Sequence, residues 1–322
     1  MKKNFLILLI FFQTGFAQQP VRDTSFAIQS TYEKEVLKRP YIKIANPILS
    51  GKVKVQQNIV YRHLGNRALL LDIYYQHAQK SKSPAVLLIF GGGWKSGDKS
   101  HNHAMATWLA NKGYVAVSAE YRLSPESIYP AAVYDLKAAI RWMRANAIKY
   151  GIDSSKIAVM GTSAGGQLAA LIGTTNGDKI LEDTIGNANH NSTVQCVIDI
   201  DGILAFKHPE SQEAASASLW FGGNYEEKKD LWEQASALNH VDKNTAPILF
   251  LNSSNLRFHA GRDDMRKKMQ GLGIYSEVHE FPDTPHPFWF FHPWFDPMMK
   301  YVDEFLKKNL KKQASSIKEI KK

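Results

Sequence analysis

Gly161-Thr162-Ser163-Ala164-Gly165 places a serine between two glycines, each two residues away. A serine hydroxyl is a weak nucleophile until a base takes its proton and its backbone holds it clear of its neighbours. The glycines permit a turn tight enough for that, with the serine strained and its oxygen exposed between a strand and a helix. A strand expected over Lys156–Met160 and a helix running to about Ile172 supply the setting, and Gly166 extends the motif. A plain tight turn is the bland reading of the same residues. The helix that begins there aims its first N–H groups at a reacting oxygen.

A second glycine cluster complements the first. The apolar run Pro84–Phe90 ends in Gly91-Gly92-Gly93-Trp94. Three consecutive glycines cost backbone entropy, and a loop that must present N–H groups to a substrate oxygen would justify them. A phosphate loop would need Gly-Lys-Ser/Thr to follow, and none does. Gly92, Gly93 and Ala164 are therefore the candidate donors of an oxyanion hole. A serine nucleophile with an oxyanion hole is the equipment of acyl transfer.

Together, Phe90-Gly-Gly-Gly-Trp94, Ser96-Gly-Asp-Lys-Ser100, Gly161-Thr-Ser-Ala-Gly-Gly166 and a late histidine resemble the α/β-hydrolase fold. More narrowly, they are similar to carboxylesterases of the hormone-sensitive-lipase and feruloyl-esterase-like groups, over about residues 55–310. Those groups usually carry a His before the three glycines, mainly to support the loop, where this chain has Phe90.

The resemblance puts the base after the last strand. That strand is expected over Tyr275–Phe281, and Pro282-Asp-Thr-Pro-His286-Pro-Phe follows, with two prolines stiffening the loop. His286 is thus the candidate base and His292 the runner-up. His279 falls inside the strand, and the remaining histidines are expected to be surface or structural. The acid is the open member. The resemblance places it just after the strand before last, here Pro247–Leu251, but Asn252-Ser-Ser-Asn255 offers no carboxylate. Asp201, ending the strand Val194–Ile200, is the favoured substitute. Asp263 or Asp264 is the alternative, and Asp283 or no acid the last. No His-Glu-x-x-His pair occurs, so neither a metal nor an organic cofactor is implied.

Six aromatics between Phe288 and Phe295 follow the candidate base. Trp94 and Trp289 are taken as candidate substrate contacts, by stacking on a sugar ring or an aryl group. Core packing of the last helix weighs equally. Arg257, with Arg262 near it, is a candidate for a uronate carboxylate, against the blander reading of a salt bridge.

These residues need a scaffold. The apolar run Pro84–Phe90 and the strands expected at Tyr114–Glu120, Lys156–Met160, Val194–Ile200 and Pro247–Leu251 alternate with helical patterns at 101–111, 131–150, 258–272 and 295–310. That order predicts a mostly parallel sheet of about eight strands with helices on both faces, led by a hairpin over 54–62 and 68–75. Residues 51–310 read as one hydrolase domain, with 203–245 as a small cap.

The chain has 322 residues, 44% hydrophobic and 22% charged, which excludes disorder and a coiled coil. Its single cysteine, Cys196, excludes an internal disulfide and a cysteine-based zinc site. Seven lysines and one glutamate from residue 307 onward, with Lys2 and Lys3, carry all but two of the net +10. The body is near neutral, so nucleic acid is not an expected partner. Residues 1–17, with Lys2-Lys3, an apolar run and Gly15-Phe-Ala17, read as a secretory signal peptide too short to span a membrane. Residues 18–50 read as a mobile arm and 311–322 as a lysine-rich tail. The expectation is a secreted or periplasmic serine carboxylesterase without a stable membrane anchor. It would remove acetyl, methyl or feruloyl groups from polysaccharide or oligosaccharide esters. A small-ester lipase or peptidase of the same fold, or an inactive carbohydrate-binding relative, are the rivals.

Overall fold

The computed structural model describes residues 23, 25–77, 81–124 and 126–310. In chain order its elements are α1 (Ile28–Glu35), β1 (Lys43–Ile44), β2 (Val53–Leu64), β3 (Arg67–Gln76), β4 (Ser83–Ile89), α2 (His103–Asn111) and β5 (Val115–Ala119). They continue with α3 (Ala131–Ala145), α4 (Ala147–Tyr150), β6 (Ile152–Thr162), α5 (Ala164–Thr174), β7 (Cys196–Ile200), α6 (Ala214–Phe221) and α7 (Lys229–Ala235). The last are β8 (Ile248–Asn252), α8 (Arg262–Gly271), β9 (Ser276–Glu280), β10 (Phe291–His292) and α9 (Phe295–Leu310).

Eight strands form one sheet in the order β2-β3-β5-β4-β6-β7-β8-β9. Pairing is antiparallel from β2 to β5 and parallel from there to β9. The β5, β7 and β8 strands are buried at every residue, as parallel strands covered on both faces must be. Their alternation splits the core in two. Val159, Val197 and Ile248 pack with Leu136 and Leu168 of α3 and α5. Met160, Ile198 and Leu249 pack on the other face with Leu109 of α2 and Val302 of α9. The continuous apolar runs arise because each strand must satisfy both layers.

Four expectations need correction. The long helix over 131–150 breaks at Asn146, whose side chain donates to the Trp142 carbonyl at 3.0 Å. The helix expected from Phe258 begins at Arg262, because Gly261 takes φ +81° between it and a 3-10 turn at Leu256–His259. The arm before residue 50 holds α1 and β1. β1 pairs antiparallel with β10, and Phe26, Ile28, Tyr32 and Val36 pack against the α2–α9 core. Ile28, Tyr32 and Val36 stand at i, i+4 and i+8, one face of a helix, and that short period is a signal that sequence reasoning passed over. The segment 203–245 is not a separate cap, since Phe206, Trp220, Phe221 and Trp232 are buried in the same core as α3 and α5.

The expected signal peptide at 1–17, residues 18–22 and the tail at 311–322 lie outside the described residues. Among the described residues, no helix is long and apolar enough to cross a membrane.

Candidate active site

The site forms where β4, β6 and β7 end, on the carboxyl edge of the parallel strands. Ser163 stands between β6 and α5 with φ +54° and ψ −122°, a conformation costly for a residue with a side chain. The surroundings enforce it. Its N–H donates to the Ile200 carbonyl at 2.8 Å, and its carbonyl accepts the Gln167 N–H at 3.0 Å. A Cβ at Gly161 would lie 1.9 Å from the Gly165 carbonyl oxygen, and one at Gly165 would lie 2.2 Å from that of Ile89. Both motif glycines are there for close backbone approach.

His286 sits on the loop after β9. Its Nε2 lies 2.8 Å from Ser163 Oγ, and its Nδ1 lies 2.8 Å from Asp201 Oδ2. Phe258 stacks on its ring at 3.3 Å between centroids, and Trp289 meets it edge-on at 5.0 Å. Those two aromatic contacts fix the imidazole plane.

Asp201 follows β7 at φ +53° and is fully buried. The loop after β8, which lacks a carboxylate of its own, donates the Ser253 N–H to Asp201 Oδ1 at 2.7 Å. Thus the neighbouring strand supplies the acid and the usual strand helps to hold it. Burial alone pushes the Asp201 carboxyl up. The nearby His259 imidazole and the hydrogen bonds from His286 and Ser253 outweigh burial and bring it below the ordinary carboxylate value.

The other acids face away. Asp263 is paired with Arg262 at 2.9 Å, and its side chain is 71% exposed. Asp264 meets His208 at 3.4 Å on the surface. Asp283 offers its backbone carbonyl to Arg39 at 3.3 Å. His292 pairs with Asp296 at 3.0 Å, and His279 stacks on Tyr301. Sequence reasoning missed His259, a buried residue with its Nε2 3.6 Å from Asp201 Oδ1. Its only sequence signal is its place on the turn after β8.

Gly93 and Ala164 line a small cavity together with Ser163. Ala164 opens α5, so its N–H has no acceptor within the helix. Gly92 is not among the lining residues. Its φ is +130°, and its carbonyl accepts the N–H groups of Lys95 and Ser96. The Tyr121 hydroxyl donates to the Phe90 carbonyl at 2.9 Å, and the two rings stack at 4.4 Å. That contact gives the loop the support which the resemblance assigns to a histidine.

The aromatic expectation is half corrected. Trp94 does line the cavity, but it is buried. It stacks on Trp220 at 4.9 Å and donates its indole N–H to Gln167 at 2.9 Å. Trp289 is only 1% exposed and presents no face to a substrate. Phe288, Phe290, Phe291 and Phe295 are buried with it, because this run seats β10 and α9 on the core. Arg257 stands at the rim, its guanidinium 4.4 Å from the centre of the Phe258 ring and 3.2 Å from Glu213 Oε1. Arg262 is withdrawn among Asp263, Glu280 and Asn252.

Asp199, two residues before the acid, is a different case. It is fully buried, and Oδ1 accepts the Gly202 N–H at 2.8 Å while Oδ2 has no hydrogen-bond partner. Burial pushes its carboxyl well above the ordinary range. A raised folded value means stability is greatest below the unfolded value, near ~3.9, and falls by about 1.4 kcal/mol per pH unit from there up to the folded value. Asp199→Asn removes that dependence. In thermal unfolding the Tm of the variant, relative to wild type, is expected to be clearly higher at pH 7.5 than at pH 4.5. An equal difference at both values would show that Asp199 is ionised in the fold.

The BD-FAE family model matches residues 71–257, a stretch that contains the glycine loop, Ser163 and Asp201 and ends before His286. Esterase LipC of Mycobacterium tuberculosis (strain ATCC 25618 / H37Rv) is 32% identical over 195 residues, covering 58% of this chain and 48% of the relative. The chain spans about half the length of this and two other curated esterase relatives. Among solved structures, a truncated carbohydrate esterase from gut microbiota is 27% identical with a TM-score of 0.66, over 82% of this chain and 99% of that one. The esterase Est2 of Thermogutta terrifontis is 25% identical with a TM-score of 0.66, over 82% and 95%.

Proposed function

The chain belongs to the BD-FAE family, and from that premise we propose that it is a serine carboxylesterase that removes acetyl, methyl or feruloyl groups from a polysaccharide such as pectin or xylan. The observation that carries this reading is the unbroken relay from Ser163 through His286 to Asp201, with 2.8 Å at both steps. The similarity to a carbohydrate esterase supports the polysaccharide part.

The chemistry follows from the geometry. Asp201 fixes the tautomer in which His286 Nδ1 carries the proton and Nε2 is free to accept. Ser163 Oγ attacks the ester carbonyl while His286 Nε2 takes its proton. The N–H groups of Gly93 and Ala164 stabilise the oxyanion of the tetrahedral intermediate. Collapse expels the alcohol, which receives the proton from His286, and leaves an acyl-serine. Water, deprotonated by the same nitrogen, then releases the acid and restores the serine. An intact relay argues against an inactive carbohydrate-binding relative.

The test is a stopped-flow assay with 4-nitrophenyl acetate, followed by acetylated, methylated and feruloylated pectins and xylans. A burst of nitrophenol and release of acetate, methanol or ferulate are expected. Absence of turnover on every ester would reject the reading. Export belongs to the same proposal and rests on Lys2-Lys3, the apolar run and Ala17. N-terminal sequencing of exported protein is expected to begin near Gln18, and retention of Met1 would contradict it.

A further inference from the structure

We propose that His259 is a positioning residue of the relay, holding Oδ1 of Asp201 so that Oδ2 is aimed at His286. The proposal rests on the esterase reading and lengthens the relay by one residue.

The need arises from where the acid stands. Asp201 reaches His286 from the strand beside the usual one, and its carboxylate is fully buried. The last torsion of an aspartate is soft, so a carboxylate held by one oxygen can swing. Oδ1 must therefore be held as firmly as Oδ2. The Ser253 N–H supplies one contact to it at 2.7 Å. A carboxylate oxygen accepts two hydrogen bonds, and His259 Nε2 stands 3.6 Å from this one.

The turn that carries His259 is suited to the task. Its last two residues divide the relay between them. Phe258 stacks on the His286 ring at 3.3 Å, and His259 faces Asp201. The next residue ties the turn to the loop that bears the acid. The Ala260 carbonyl accepts the N–H groups of Leu204 and Ala205 at 2.8 and 3.2 Å. His259 is 4% exposed, and neither ring nitrogen has a hydrogen-bond partner among the described residues. A buried imidazole left so is unfavourable and calls for a reason, of which a part in catalysis is one. The 3.6 Å contact is longer than a hydrogen bond, and such contacts tighten when the reaction develops charge.

The charges around the acid agree. Among the described residues, the ionisable nitrogens that reach the Asp201 carboxylate are those of His286 and His259. The other charged groups nearby have partners of their own. Arg262 of α8 is paired with Asp263 and Glu280, and Arg257 with Glu213. Asp263 also attracts His259 through space, from the surface. Asp199, on the same strand as the acid, has its carboxyl pushed well above the ordinary range by burial. A proton on His259 Nε2 draws charge toward Oδ1 and away from Oδ2. Without it Oδ2 becomes the stronger acceptor, and the proton on His286 is harder to remove. The acid limb of the pH profile then moves to higher pH.

The experiment records pH profiles of kcat and kcat/KM on 4-nitrophenyl acetate for wild type, His259→Phe and His259→Gln. Active sites are counted from the nitrophenol burst, and thermal unfolding is the folding control. Phenylalanine keeps a ring and loses the donor, while the glutamine amide can donate from near the place of Nε2. His259→Phe is expected to lower kcat per active site by ~10-fold or more with KM near wild type. Its acid limb in kcat/KM is expected to rise by roughly half a pH unit or more. His259→Gln is expected to recover most of kcat and to return the limb toward wild type. If His259→Phe does not fold, His259→Asn, whose amide is too short to reach Oδ1, gives the same comparison. A residue that only fills space would lower Tm in these variants and leave kcat per active site and the acid limb unmoved. That result would overturn the proposal, and so would a glutamine variant no better than phenylalanine or asparagine. Unmoved profiles with turnover that Ser163→Ala abolishes reject this proposal alone. Hydrolysis that persists in Ser163→Ala rejects the serine reading, and the place of His259 in the relay with it.

Discussion

Replacing Ser163 with alanine is expected to lower kcat by ~10⁴ or more while leaving KM close to wild type, because a nucleophile and its base act as one unit. The fold should tolerate the change. Ser163 keeps its strained backbone through its N–H bond to Ile200 and through the glycines around it, not through its hydroxyl. The alanine Cβ occupies the place of the serine Cβ, and the cavity gains only the space of one oxygen. The cavity walls at Gly93, Ala164 and Trp94 are unchanged, so binding should persist. Steady-state kinetics on 4-nitrophenyl acetate, with thermal unfolding as the folding control, measures this. A variant that is folded and retains more than ~1% of wild-type kcat would show that another group attacks the ester.

Asp201→Asn is expected to lose ~10³–10⁴ in kcat, while Asp263→Asn and Asp264→Asn stay within a few-fold of wild type. The amide is close to isosteric, and its oxygen can still accept the Ser253 N–H that Asp201 Oδ1 accepts at 2.7 Å. What it cannot do is hold a proton on His286 Nδ1 from Oδ2 and stabilise the imidazolium. With the wrong tautomer, Nε2 carries the proton and cannot accept one from Ser163. The depressed value of the Asp201 carboxyl adds a pH arm. Burial raises it, and the nearby His259 imidazole with the hydrogen bonds from His286 and Ser253 more than offsets that. A lowered folded value contributes stability above the unfolded value, near ~3.9, and that stability is lost as pH falls through the folded one. Asp201→Asn should therefore cost stability at pH 6–7, and cost progressively less as pH falls below ~3.9 toward the lowered folded value. Kinetics of the three variants decides the acid. If Asp263→Asn is crippled and Asp201→Asn is nearly normal, the helix supplies the carboxylate and the relay drawn here is wrong.

Much of the scaffold was legible because parallel strands covered on both faces write themselves as unbroken apolar runs, as at Ala85–Phe90 and Ile248–Leu251. The nucleophile turn was legible because steric need leaves only glycine at 161 and 165. Chain order placed His286. Asp201 was harder, since the carboxylate moved to the adjacent strand and only its proximity to the loop after β8 in space reveals the exchange. The pairing of β1 with β10 was hidden, because a two-residue strand leaves no periodic signal. Trp289 misled for a general reason. An aromatic run near a base reads the same whether its rings face a substrate or seat a helix, and only burial separates the two. Glu213 and His259 carried no pattern, as each gains its place through a long-range contact.

The central claim is that Ser163 forms the covalent acyl intermediate under the control of His286. Intact-mass and peptide mass spectrometry after treatment with a serine-directed phosphonate tests it most directly. The account predicts one adduct per chain, on the peptide containing Ser163, with none on Ser163→Ala and strongly slowed labelling of His286→Ala. An adduct on another residue of the wild type, or equal labelling of Ser163→Ala, would contradict it.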